Sequence, residues 1–178
     1  YRLPYDQIDK DINYILSLGV KIHYNTTIGK DITLEKLGED FDAVFAGTGL
    51  HLGRSTRIEG TDNENVYQSI ELLRKITEGE EIHVPEKIVV IGGGNVAMDI
   101  TRSLARLQKI KYGKVQVIAT SLETEEKMPA DREEVVEARE EMAVVNPGWS
   151  PQRIEIVDGK IKGLHVVQCL SLFDETGN

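Results

Sequence analysis

The chain has 178 residues, of which 40% are hydrophobic, so it can bury the core of one domain, or of one domain and part of a second. Its formal net charge of −9 disfavours non-specific binding to nucleic acids and to anionic membrane surfaces. No apolar run approaches the roughly 20 residues that a membrane-spanning helix needs, and the sequence opens without a signal peptide. The single cysteine, Cys169, excludes an internal disulfide and a cysteine zinc cluster, so we expect a cytoplasmic protein.

The first 50 residues indicate an alternation of helices and strands. The predicted elements are an amphipathic helix over 5–18, a strand over 20–24, a short helix over 33–37 and a buried strand over 41–46. The last run leads into Gly47-Thr48-Gly49, a turn of small residues that no helical pattern follows. Residues 50–62 are polar and irregular, which is typical of a crossover between domains. Asn65 is predicted to cap a helix over 66–78, and a linker over 79–86 follows.

The glycine-rich segment in the middle of the chain is its most informative feature. An apolar run, Ile88 to Ile91, enters three glycines and then a stretch with the apolar spacing of one helical face. In a dinucleotide site of this kind, Gly92 permits the tight turn, Gly94 lets the backbone approach a diphosphate, and Ala97 keeps the helix close to the strand. The helix N-terminus would offer N–H groups and its positive dipole end to the phosphates. The segment therefore predicts a bound nucleotide.

Three other interpretations of this segment stay open from the residues alone. Glycine-rich turns between a buried strand and a helix also occur where nothing binds. A similar turn serves S-adenosylmethionine in methyltransferase-like domains. A third hypothesis is a non-enzymatic subunit that senses a nucleotide by changing shape.

The remaining elements complete an α/β pattern. They are a second parallel strand over 115–119, a helix from Pro129 or Asp131 to Met142, and a hairpin of two runs, 153–157 and 161–172, joined by Asp158-Gly159. Glu134 stands three residues after Asp131, as in a capping box. The four histidines show no metal-ligand spacing, so no metal site is predicted.

Several separate motifs occur in an order that resembles a known family. They are Tyr1-Arg-Leu-Pro4, Ala46-Gly-Thr-Gly49, Gly92-Gly-Gly-Asn-Val-Ala-Met-Asp99, Met128-Pro-Ala-Asp131, and Trp149-Ser-Pro151 followed by Cys169 to Asp174. The chain thereby resembles the FAD- and NAD(P)-dependent pyridine nucleotide oxidoreductases related to the small (beta) subunit of glutamate synthase. Members of that family pass a hydride from NAD(P)H to FAD, and often onward to an iron–sulfur domain or a large catalytic subunit.

The resemblance implies a fold and a domain organisation. It implies a Rossmann-like three-layer nicotinamide-nucleotide-binding domain over 51–178, with a parallel sheet and a β-hairpin or meander. Residues 1–50 would be a partial FAD-binding domain and a hinge, whose Gly47-Thr48-Gly49 turn resembles the family's flavin contact. The chain would then be an internal fragment, inactive alone, whose partner is the remainder of its own FAD domain. We expect NAD(H) or NADP(H) as cofactor here, and FAD in the full-length protein.

The choice of nicotinamide nucleotide depends on one acidic residue. Many relatives carry a Tyr-Arg-Arg stretch that pairs with the 2′-phosphate of NADPH, whereas this chain has Ser121-Leu122-Glu123 there. A carboxylate would accept hydrogen bonds from the ribose of NADH and repel a 2′-phosphate, which favours NADH. Glu123 lies 29 residues after Gly94 (123 − 94), against about 20 in the usual fingerprint, and Lys127 or Arg132 could meet a phosphate instead.

The predicted cofactor-binding residues form three groups. They are Gly92, Gly93, Gly94, Asn95, Val96, Ala97 and Asp99 at the turn, Glu123 after the second strand, and Gly47, Thr48 and Gly49 at the hinge. Asn95 could reach the cofactor or cap the helix. The negative charge of Asp99, near the helix N-terminus, would interact favourably with the helix dipole in any protein. Hydride transfer between cofactors needs no acid or base from this chain, so no catalytic side chain is predicted.

Overall fold

The computed structural model describes residues 3–50, 52–53 and 55–172. The chain divides into two compact units, one that ends at Gly49 and one that begins at Leu50. Parts of the motifs behind the family resemblance, Tyr1-Arg2 and Phe173-Asp174, lie outside the described residues. None of the helices in the described ranges is long and apolar enough to cross a membrane.

The first unit contains two helices, both of which the sequence predicts. Helix α1 spans Tyr5–Ser17, and Gly19 follows it with a φ of +89°, in the left-handed region. Helix α2 spans Leu34–Asp40, and the Thr33 hydroxyl caps it by accepting the Lys36 N–H at 3.1 Å.

The two strands predicted in this unit are wrong. Residues 20–24 and 41–46 form no strand, and the Phe45 side chain is 95% exposed. A strand exists only when its backbone groups pair with a neighbour. In the described part of this unit, strand-type backbone pairing is limited to the isolated bridge between Ile28 and Ile32.

A parallel sheet of three strands forms the centre of the second unit. The strands are β1 (Ile88–Ile91), β2 (Val117–Ser121) and β3 (Val144–Pro147), in the spatial order β1-β2-β3. Ile91 pairs with Thr120, and Ser121 with Pro147, so the three strands end at one edge. The first two strands are predicted from the sequence and β3 is not.

Two helices connect these strands, and a third precedes β1. They are α3 (Ser69–Glu78) before β1, α4 (Asn95–Tyr112) between β1 and β2, and α5 (Arg132–Glu140) between β2 and β3. Both crossovers run in the same direction along the sheet, so right-handed connections place α4 and α5 on one face. The prediction that Asn65 caps α3 is wrong, because the helix begins at Ser69 and the Asn65 side chain bonds to Asn63 instead.

The core lies between the sheet and helices α4 and α5. Its buried members are Val90, Ala97, Met98, Ile100, Leu104, Ala105, Val117, Ala119, Val135, Ala138, Ala143 and Val145. Strand residues that point the other way, such as Val89, Ile118 and Val144, stay exposed. This alternation follows from the two-residue period of a strand. On the second face Thr120 is buried, and its hydroxyl donates to the Trp149 carbonyl at 3.1 Å.

A two-stranded antiparallel hairpin follows, as predicted. Strand β4 spans Trp149–Val157 and β5 spans Lys160–Gln168. Asp158 and Gly159 join them with φ values of +50° and +73°, which suits a two-residue hairpin turn. The crossover segment packs against this hairpin, since the Ile154 N–H donates to the Glu59 carbonyl at 2.8 Å. The α/β class with a parallel sheet is therefore confirmed.

Candidate functional site

The glycine-rich turn lies at the carboxyl end of β1, where the chain enters α4. Gly92 has a φ of +142°, and its N–H donates to the Thr120 carbonyl at 2.8 Å, which extends the pairing of β1 with β2. A Cβ on Gly92 would lie 3.2 Å from the Ala97 Cβ. Glycine at 92 and a small residue at 97 therefore let the helix start close to the strand.

The next two glycines differ in what surrounds them. A Cβ on Gly93 would lie 2.8 Å from Glu123 Oε2 and 2.9 Å from the Ser121 Cβ, so the protein itself leaves no room there. A Cβ on Gly94 would meet no protein atom within 4 Å. The backbone at Gly94 is thus open to approach from outside.

Helix α4 begins directly after this open position. Gly94 is its N-cap residue, and no acidic side chain lies in its first turn. The first N–H groups of a helix have no partner within it and form the positive end of its dipole. Asn95 and Val96 are exposed and Ala97 is buried, while Asp99 is half-buried one turn further on.

Asn95 and Asp131 join the starts of α4 and α5. Asn95 Oδ1 accepts the Asp131 backbone N–H at 2.7 Å, and Asn95 Nδ2 donates to Asp131 Oδ2 at 3.0 Å. The capping box predicted from Asp131 and Glu134 is therefore wrong. Asp131 is the N-cap residue of α5 but makes no side-chain cap, and the Glu134 carboxylate accepts a hydrogen bond from Arg102 instead.

Glu123 lies just beyond the end of β2, beside Gly93. Its backbone carbonyl accepts the Gly148 N–H at 2.7 Å and the Ser121 hydroxyl at 3.0 Å. The long spacing from Gly94 has a simple cause, because α4 takes 18 residues and β2 starts only at Val117. Glu123 therefore stands at the end of β2, despite its distance along the sequence.

A cluster of ion pairs, the Arg102 cluster, ties α4 to α5 behind the site. Arg102 is buried on α4, and its guanidinium pairs with Glu134 at 3.3 Å, with Glu141 at 2.8 Å and with Glu137. Arg106 adds a contact of 2.5 Å to Glu141. Burial alone would raise the pKa of Glu141, but the hydrogen bonds from Arg106 and Arg102 outweigh it and lower that pKa below its ordinary value. Sequence reasoning missed this cluster, because residues 32 to 39 positions apart form it.

The third predicted group, Gly47-Thr48-Gly49, belongs to the other unit. Its residues are exposed, and Gly49 has a φ of +70°. A Cβ on Gly47 would meet only the Phe45 ring, at 3.0 and 3.5 Å. In the described residues no three His, Cys, Asp or Glu side chains come together in a way that could hold a metal ion.

Comparison with known proteins gives the family. The chain belongs to the pyridine nucleotide-disulphide oxidoreductases, because the model of that family matches residues 6–162. Membership confirms the cofactors predicted from the sequence at the level of the family, a nicotinamide nucleotide and FAD.

Three relatives illustrate the range of the family. The chain is 34% identical over 171 residues to the NADP(+)-dependent formate dehydrogenase subunit beta of Moorella thermoacetica, with 94% of this chain and 24% of the relative covered. It is 29% identical over 185 residues to the glutamate synthase [NADPH] small chain of Escherichia coli K12, covering 94% and 38%. It is 31% identical over 156 residues to the NAD-dependent dihydropyrimidine dehydrogenase subunit PreT of Escherichia coli O157:H7, covering 87% and 36%. The chain thus spans less than two fifths of each relative's length.

A solved structure shows the same fold. FprA from Mycobacterium tuberculosis, in its His57Gln form, superposes with a TM-score of 0.65 at 15% identity, over 96% of this chain and 57% of that one. The resemblance to the glutamate synthase small subunit predicted from the motifs is confirmed by the family and by these relatives.

Proposed function

We propose that this chain provides the NAD(P)H-binding part of a flavin-dependent oxidoreductase that passes a hydride from the nucleotide to FAD and onward to a partner. The observation that carries the proposal is the turn at Gly92–Gly94, where a Cβ on Gly94 would meet no atom of the described residues within 4 Å, directly before the start of α4. The residues present fit a dinucleotide, because a diphosphate needs close access to backbone N–H groups at a helix N-terminus. Family membership supports this hypothesis over a methyltransferase-like domain or a nucleotide sensor.

The chain's own residues would bind and orient the nucleotide rather than react with it. The bound nicotinamide supplies the hydride. Gly92, Gly93, Gly94, Val96 and Ala97 shape the turn and the helix start, and we propose no catalytic side chain. Precise placement of the nicotinamide ring is then the protein's contribution to the rate.

We propose NADH as the preferred nucleotide, on the strength of Glu123. Names in the family include both NADPH and NAD, so the choice must come from this chain's residues. The Glu123 carboxylate lies against Gly93 at the end of β2, where Rossmann domains hold the adenosine ribose. A carboxylate near a 2′-phosphate would cost NADPH about 1–4 kcal/mol, depending on the local dielectric.

We propose separately that residues 1–50 belong to a partial FAD-binding domain and a hinge, with Gly47-Thr48-Gly49 at a flavin contact. We also propose that the protein is cytoplasmic and that an iron–sulfur domain or a large catalytic subunit accepts the electrons. The 178 residues alone would then bind nucleotide without flavin-linked turnover. Dye reduction by NADH, measured for these residues and for the longer polypeptide, tests this, and robust flavin-linked turnover by the 178 residues alone would refute it.

Calorimetric titration with NADH, NADPH and S-adenosylmethionine tests the binding proposal. Gly94→Ala should fold as the wild type does, since its Cβ meets no protein atom, but should bind NADH at least tenfold more weakly because the methyl group would block the diphosphate. Gly38→Ala is the matched control, as its Cβ also has free space, in helix α2. Unchanged NADH affinity in Gly94→Ala, or binding of S-adenosylmethionine alone, would contradict the proposed site.

The same titration tests the nucleotide preference. Glu123→Gln should lower the preference for NADH over NADPH about tenfold, which is roughly 1.4 kcal/mol and within the range expected for one nearby charge. Glu126→Gln is the control, because Glu126 is exposed on the same connection. If the ratio of the two affinities stays constant in Glu123→Gln, the preference does not come from this carboxylate.

A further inference from the structure

Three hydrogen bonds fasten the segment before α5, residues 128–131, onto the glycine-rich turn. The Ala130 N–H donates to the Gly93 carbonyl at 2.9 Å. The Asp131 N–H donates to Asn95 Oδ1 at 2.7 Å, and Asn95 Nδ2 donates to Asp131 Oδ2 at 3.0 Å. Asn95 thus uses an acceptor and a donor of its side chain on one residue 36 positions away.

The bond to the Gly93 carbonyl has a consequence for the neighbouring amide. The Gly93 carbonyl and the Gly94 N–H belong to one planar peptide group, and in a trans peptide they point in opposite directions. No cis peptide occurs in the described residues. Holding the Gly93 carbonyl toward Ala130 therefore sets the direction of the Gly94 N–H. Neither glycine has a side chain that could restrain this peptide by packing.

We propose that Asn95 is a positioning residue that holds residues 128–131 in place and so fixes the Gly93–Gly94 peptide for the diphosphate of the nucleotide. This deepens the proposed function and rests on it. Ala130 and Asp131 are adjacent, so the two bonds between Asn95 and Asp131 keep the Ala130 N–H in register with the Gly93 carbonyl. Asn95 acts through the turn rather than through a contact of its own with the cofactor.

The expected effect on KM and kcat follows because the three hydrogen bonds act on the site of the diphosphate. NADH and NADPH share the same diphosphate, so loss of the fastening weakens both by the same factor. The ratio of the two affinities stays constant, in contrast to the effect expected at Glu123. Once the nucleotide is bound its nicotinamide is unchanged, so KM rises and kcat does not fall.

The test is steady-state reduction of a dye by the complete flavoprotein, with NADH and with NADPH, in four variants. Asn95→Ala should raise KM for both nucleotides about tenfold. Asn95→Asp should raise it at least as much, because two carboxylates then face each other. The swap N95D/D131N reverses the donor and the acceptor at the same net charge, and should return KM to within about threefold of the wild type. Glu133→Gln, which changes the charge of an exposed residue in the first turn of α5 and leaves Asn95 and Asp131 intact, is the control for a change of charge near the segment.

Other outcomes would each contradict a different part of the proposals. If the swap leaves KM as high as Asn95→Asp alone does, Asn95 contacts the cofactor directly and the proposal is overturned. If the melting temperature of Asn95→Ala falls while KM is unchanged, the pair serves stability alone. If Asn95→Ala does not fold, the KM values of N95D/D131N and of Asn95→Asp test the proposal instead. Failure of the wild type to bind either nucleotide would overturn the proposed function and this inference together, whereas the outcomes above leave the proposed function intact.

Discussion

The two glycine-rich turns look alike in sequence and differ in structure. Gly47-Thr48-Gly49 and Gly92-Gly93-Gly94 both follow an apolar run that the sequence predicts to be a strand. The run before the second turn forms β1, where Val90 is 6% exposed. The run before the first forms no strand, and Phe45 within it is 95% exposed.

The difference shows what fixes the backbone of a glycine-rich turn. The turn at 92–94 is held by the Thr120 carbonyl, by Ala130 and by the packing of Ser121 and Glu123 against Gly93. At 47–49, the atoms of the described residues that would meet a Cβ on Gly47 all belong to the Phe45 ring. Glycines allow many backbone shapes, so neighbouring strands and loops must select one of them.

The largest effect should come from breaking the framework behind the second turn. Arg102→Ala should lower the free energy of unfolding by about 3–5 kcal/mol, because it leaves three carboxylates around a buried position without their shared cation. Urea denaturation measures the change. The exposed pair of Arg74 and Glu78 supplies the control, and Arg74→Ala should lower the free energy of unfolding far less, because solvent screens this pair. Equal losses in the two variants would show that the Arg102 cluster contributes no more to the free energy of unfolding than an exposed ion pair does.

A smaller effect should separate the two turns directly. Gly93→Ala should destabilise the protein by about 1–3 kcal/mol, because its Cβ would lie 2.9 Å from the Ser121 Cβ in a packed region. Gly47→Ala should change stability little, since the exposed Phe45 ring can move aside. Thermal unfolding followed by circular dichroism compares the two variants. A similar melting temperature for both would mean that the turn at 92–94 is no more constrained than the other.

The smallest effect should appear as a dependence on pH. Because the Glu141 pKa is lowered in the folded state, its contribution to stability is present above the unfolded value, near 4.5, and is lost as pH falls through the folded pKa. Urea midpoints measured between pH 7 and pH 3.5 should therefore fall less steeply in Glu141→Gln than in the wild type. Parallel slopes for the two proteins would show that this carboxylate does not contribute.

The sequence predicts those parts of the fold whose signals are local. The strand at Ile88–Ile91, the following helix and the hairpin around Asp158-Gly159 each have a periodic pattern or a turn residue that suffices. The strands expected at 20–24 and 41–46 failed because pairing depends on partners that the local pattern does not contain. Strand β3 was missed because only its first two residues, Val144 and Val145, are apolar and an asparagine and a proline follow them, whereas all four residues of β1 are apolar.

The candidate site likewise has parts that the sequence predicts and parts that it does not. The three glycines follow from a known spacing, whereas the pairing of Asn95 with Asp131 joins residues far apart in sequence. Glu123 lies further from Gly94 in sequence than the acidic residue of the usual fingerprint, and the 18 residues of α4 account for the difference. A contact between the starts of two helices that are far apart in sequence can be recognised only from the fold.

The unequal space around Gly93 and Gly94 bears on how this sequence would change over generations. At 93 a side chain collides with Ser121, so the fold alone keeps glycine there whatever the protein binds. At 94 the protein leaves room, so only a bound molecule would select against larger residues. In a descendant that lost its ligand, position 94 would drift toward other amino acids while position 93 would stay glycine.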